Sequence, residues 1–217
     1  MFHRCAWLLV VLWPWAAAWS AENPEIPYAA AQTGLNRYLA AMPPAETALY
    51  GVPAGTGRTA ITLGEPFQVF VPSPSTLTQW TPTTPINGLW EETTAWWFPI
   101  LVQGEMTALL IVDRMDSEWR AVSFGRAEMA KAIGQVEKQW AGNPNGRPQW
   151  IMIPQAAQLL YHIPGQAPDN LTRAAIPNLN NKGSLTRAVD VIPSARNAAA
   201  KNIAAYKAAA SAQKASP

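Results

Sequence analysis

The 217-residue chain holds one cysteine, two histidines and 14% charged residues. It also has no long, uninterrupted apolar run. Each shortage closes off a class of function. The run from Ala6 to Trp19, broken by Pro14, falls short of the roughly 20 residues that cross a bilayer. With Arg4 before it and Ala18-Trp19-Ser20 then Ala21 after it, the run reads as a secretory signal peptide over 1–20. Cleavage after Ser20 removes both Cys5 and His3 and leaves no transmembrane anchor. The remainder has no thiol and a single imidazole, His162. Zinc sites of the Cys/His type, thiol nucleophiles and c-type haem attachment are thereby excluded. Disulfides are excluded too, and a chain of roughly 200 residues can bury enough core without them. Cys5 stands at the start of the apolar run rather than its end, which argues against a lipid anchor. A periplasmic or secreted protein is expected.

The formal charge of +2 conceals an asymmetry. Residues 21–169 hold eight Lys/Arg against thirteen Asp/Glu, whereas residues 170–217 hold seven Lys/Arg and only Asp190. An acidic body with a basic tail gives the two parts separate jobs, or makes them touch.

Periodicity predicts a helix from Tyr28 to Met42, stopped by Pro43-Pro44. Thr59–Leu63 and Phe67–Val71 read as strands. The prolines at 72, 74, 82 and 85 predict an extended loop or an edge strand around Leu77–Trp80. Three apolar runs, Trp96–Val102, Met106–Val112 and Trp119–Phe124, are separated by turn signals and predict a β-meander. Met129, Ile133, Val136 and Trp140 then mark one face of a helix. Trp150–Ile153 reads as a strand, and Pro154 as the start of a helix through Tyr161. The expected organisation is a signal peptide over 1–20, one α+β domain over 21–165, a Pro/Asn-rich linker over 166–193 and a basic Ala-rich tail over 194–217. The tail is helical by propensity, capped by Ser194, with only Ile203 and Tyr206 as large apolar residues. The basic part of the chain, from about Leu171 onward, is expected to be dispensable for folding but not for location.

No residue can be assigned to catalysis, and no cofactor or metal is expected. His162, Ser123 and Asp169 supply the types for a nucleophile triad, but no Gly-x-Ser-x-Gly elbow accompanies them. Asp113, Asp116 and Glu118 lack the ligand spacing of a calcium loop. Glu91, Glu92 and Glu105 cannot be paired for glycoside cleavage by sequence distance. Gly55-Thr56-Gly57-Arg58 lacks the ending of a phosphate loop and is a turn. Trp80, Trp90, Trp96 and Trp97 are the candidate ligand platform. They lie within eighteen residues, and their faces could stack on a sugar or a peptide, although strand tryptophans ordinarily enter the core.

Three blocks carry a resemblance: Leu63-Gly64-Glu65-Pro66-Phe67, Trp97-Phe98-Pro99-Ile100-Leu101-Val102 with Gly104-Glu105, and Trp119-Arg120-Ala121-Val122-Ser123-Phe124-Gly125. With a helix before and after the meander, residues 28–140 resemble uncharacterised exported bacterial α+β proteins. More distantly, they are similar to PepSY-like or cystatin-like modules. The resemblance implies an antiparallel sheet packed on helices and a non-catalytic role. The function expected is a non-enzymatic binding or interaction module of the bacterial cell envelope or exterior. The alternative is an envelope-polymer hydrolase using acidic residues. Expected partners are an envelope protein or an anionic envelope polymer. Nucleic acid is excluded for an exported protein with an acidic body.

Overall fold

The computed structural model describes residues 25–83, 89–154, 158–167, 170–173 and 185–215. The signal-peptide segment, Asp169 and much of the expected linker lie outside these residues. The architecture is α+β, as the sequence predicts. Helix α1 (Tyr28–Ala41) buries Ala31, Gly34 and Leu35, and Met42 leaves the helix in an extended conformation just before the two prolines.

Strands β1 (Ile61–Leu63) and β2 (Phe67–Pro72) lie end to end along β3 (Trp90–Val102). β3 then pairs with β4 (Glu105–Met115), and β4 with β5 (Glu118–Gly125), which forms the antiparallel meander. Proline in the middle of a central strand removes a ladder donor. Pro99 is accommodated because its missing N–H faces the break between β1 and β2. Its carbonyl on the same side accepts the Gly64 N–H at 2.7 Å. A side chain at Gly64 would press on the Pro99 ring, at 2.9 Å.

Helix α3 (Ala127–Gln139) carries the chain from β5 across one face of the sheet to β6 (Gln149–Ile153), which pairs in parallel with β2. Strands β7 (Gln158–His162), β8 (Asn170–Arg173) and β9 (Leu185–Arg187) extend the sheet antiparallel. The order is β5-β4-β3-β2-β6-β7-β8-β9. Two expectations are corrected here. Gln158–His162 is a strand rather than part of a helix, since an apolar run this short fits either period. Pro74–Gln79 is a helix, α2, rather than an extended segment. The Ser73 hydroxyl accepts the Thr76 N–H at 3.2 Å, and Pro74 occupies the first turn, where its missing donor costs nothing.

Side-chain alternation splits the core. On one face Val69, Trp97, Leu109, Trp150 and Tyr161 pack with Ile133 of α3. On the other, Trp96, Phe98, Leu110 and Val112 pack with Leu35 of α1. Beside them Leu77, Trp80, Ile151 and Leu160 pack with Val191 and Ile192. This last cluster corrects the expected division into linker and tail. Helix α4 starts at Ala188, passes through Pro193 and runs to Ala215. Val191, Ile192, Ala195 and Ala199 have no solvent exposure. The two large residues of the buried face, Val191 and Ile192, lie upstream of Ser194 and Ala195 and Ala199 downstream, so a boundary drawn at Pro193 divides the anchor from its helix. Ser194 is inside α4, its hydroxyl donating to the Val191 carbonyl at 3.0 Å. Among the described residues no helix is long and apolar enough to cross a membrane.

Candidate functional site

The junction between β5 and α3 is backbone-constrained. Gly125 has φ 116° and Arg126 φ 59°, two successive residues in conformations that L side chains rarely adopt. This turn directs the Arg126 side chain over the face of Trp97, with its guanidinium carbon 5.7 Å from the ring centroid. Arg126 is exposed, and while its carbonyl accepts the Ala130 N–H at 2.9 Å, its guanidinium makes no hydrogen bond or ion pair with any described residue. Trp97 belongs to β3, and 6% of it remains accessible.

Beyond Trp97 opens a cleft of about 380 Å³, near the lower end for small-molecule sites. Met129 of the first α3 turn forms one wall. Met152 at the end of β6, Pro154, and Gln158 and Leu159 at the start of β7 form the other. Arg126 is the only charged residue among the described residues of this lining. Such a site can take an apolar body beneath one anionic group.

A second cleft, about 280 Å³, lies where Met106 and Glu105 meet the other flank of α3 at Gly134, Glu137 and Lys138. Its two carboxylates are occupied. Glu105 is ion-paired with Lys138. Glu137 accepts the Trp150 indole N–H at 3.1 Å and the Arg147 Nε–H at 3.2 Å. Arg147 also reaches Glu65 at 3.4 Å. These contacts tie α3 to β6 and to the β1–β2 break.

The four candidate platform tryptophans do not share a surface. Trp80 is buried and Trp90 half-buried in the cluster under α4, Trp96 is buried under α1, and Trp97 faces α3. Strand alternation sends Trp96 and Trp97 to opposite faces, and only Trp97 borders the Met129–Met152 cleft.

The triad residues are equally scattered. Ser123 is on β5 and His162 on β7, five strand spacings apart, or about 24 Å. The His162 Nε2 is buried without a hydrogen-bond partner. In the meander turn, Asp113 accepts the Thr94 hydroxyl at 2.8 Å, and Glu118 pairs with Arg120 at 2.8 Å. Glu91 and Glu92 are exposed on β3. No group of three or more His, Cys, Asp or Glu among the described residues could hold a metal ion.

Nothing in the sequence marks Arg126, Met152 or Leu159 as site residues, and Met129 reads there only as part of the apolar face of α3. Their one local signal is a glycine followed by arginine at a strand-to-helix junction. The chain matches no protein-family model, no curated protein and no solved structure. The likeness to PepSY-like and cystatin-like modules therefore rests on strand pattern alone.

Proposed function

We propose that the protein is an exported, non-enzymatic binding module of the bacterial cell envelope or exterior, with its ligand seat in the cleft beside Trp97. The carrying observation is that, among the described residues, this apolar concavity is rimmed by one cation without an ionic partner, while the carboxylates are dispersed or engaged in structural contacts. The exposed half of α4 presents Lys201 and Lys207 to solvent, and we assign that surface to an anionic envelope polymer.

The test isolates the protein from its native compartment and extracts bound small molecules for mass spectrometry. Met152→Glu, which places a charge in the cleft, should lose the extracted species while keeping the wild-type circular dichroism spectrum. Cell-wall fragments should bind the protein in a salt-sensitive way, and a chain ending after Ala200 should lose that binding. Release of soluble fragments from isolated envelope polymer, abolished by Glu137→Gln, would overturn this reading in favour of the hydrolase.

A further inference from the structure

The geometry points to a single-chain amphiphile bearing a carboxylate as the ligand of the Trp97–Leu159 cleft, an inference that rests on the cleft being a ligand seat. Charge complementarity sets the head group. Among the described residues Arg126 is the lone charge in the lining and has no acidic partner, so a single negative charge is neutralised there, and a guanidinium matches a carboxylate in bidentate geometry. A phosphate monoester, carrying about −1.5 to −2 at neutral pH, would leave charge uncompensated beside an acidic body. The walls set the rest of the molecule. Met129 and Met152 are unbranched and polarizable, and they adapt to a flexible chain without demanding a fixed shape. A sugar or a peptide needs several convergent hydrogen-bonding side chains, and besides Arg126 only Gln158 supplies one among the described lining residues.

The experiment is calorimetric titration of the purified protein with monomeric sodium dodecanoate, dodecan-1-ol, dodecyltrimethylammonium and inorganic phosphate. Dodecanoate is expected to bind at one site per chain. Dodecanol should bind about tenfold or more weakly, the ammonium more weakly still, and phosphate alone not at all. Arg126→Asn removes the charge with a residue that tolerates positive φ. It should weaken dodecanoate binding about tenfold to a hundredfold and leave dodecanol unchanged. Met152→Glu should weaken both. Equal binding of dodecanoate and dodecanol, unaffected by Arg126→Asn, would overturn the carboxylate assignment while leaving the cleft as an apolar seat. Absence of binding by every amphiphile, or binding indifferent to Met152→Glu, would overturn the seat itself. Phosphate binding that is lost in Arg126→Asn would replace the amphiphile with a plain anion.

Discussion

Shortening Ile192 to alanine tests whether α4 is part of the core. Ile192 is fully buried in the cluster that also holds Trp80, Ile151 and Leu160. The helix is further held by Arg196, whose Nη1 donates to the Trp80 carbonyl at 3.3 Å. Removing a buried isoleucine side chain down to Cβ costs about 2–5 kcal/mol, because transfer and cavity terms add. For a chain of this size 1 kcal/mol moves Tm by roughly 2–4 °C, so a loss of about 3 kcal/mol lowers it by roughly 6–12 °C. Two truncations bracket the point. A chain ending after Ala200 sheds a stretch that is mostly exposed, including Tyr206 at 76%, and should melt within about 2 °C of the intact protein. A chain ending after Arg187 uncovers Leu77, Trp80 and Ile151 and should not fold cooperatively. Thermal melts followed by circular dichroism decide all three. Wild-type melting of Ile192→Ala, or of the shorter truncation, would refute the assignment and restore the tail as a solvated extension.

Leu110→Asp should abolish cooperative folding, because β4 is covered on both faces and the carboxylate would be buried without a partner; a cooperative melt at the wild-type temperature refutes this. Glu137→Ala leaves the buried Trp150 indole N–H without its acceptor and should cost about 1–3 kcal/mol in urea unfolding, whereas Glu137→Gln, which retains an acceptor, should cost less. Gly34→Ala should destabilise by about 1–3 kcal/mol despite better helix propensity, because its Cβ would overlap the Ala121 Cβ on β5. Adding Ala121→Gly should recover part of that loss, and a single variant at least as stable as wild type would show that α1 can shift. Intact-mass measurement of exported protein should give a chain beginning at Ala21, and material retained in the membrane with Trp7–Trp19 attached would mean an anchor instead.

The elements legible from sequence are those whose signals are local. α1, the meander and α3 each carry a full period of apolar residues between turn or proline signals, and the structure places them within a few residues of expectation. β3 is the exception: it begins at Trp90 rather than Trp96, because Glu91, Glu92 and Thr94 hide a strand that leaves the central core to pair with β2. Elsewhere the failures trace to proline. Pro74 reads as part of an extended loop or edge strand, although Ser73-Pro74 is a helix start. Pro193 reads as a boundary, although Ile192, Ala195 and Ala199 continue one face at spacings of three and four. The parallel pairing of β2 with β6 leaves no sequence signal, since it joins segments some eighty residues apart.

The cleft was illegible for the same topological reason, and its position follows from how unevenly the sheet is covered. Eight strands side by side at about 4.8 Å span roughly 34 Å. On one face, α1, α2 and α4 share that width. On the other, α3 is the only described helix, and an α-helix with its side chains is about 10–12 Å across, enough for two or three strands. Concavities are therefore left on both flanks of α3, where the two clefts beside it are found. On one flank Glu105, Glu137 and Lys138 close the gap with ion pairs that stabilise the helix in place. On the other, the lining residues are Met129, Met152 and Leu159, and the available cation, Arg126, pairs with no carboxylate among the described residues. Its backbone conformation costs on the order of 1–3 kcal/mol for a residue other than glycine. Glycine, asparagine or aspartate would hold that turn more cheaply, so the arginine is better explained by what its side chain meets in the cleft than by the turn that carries it.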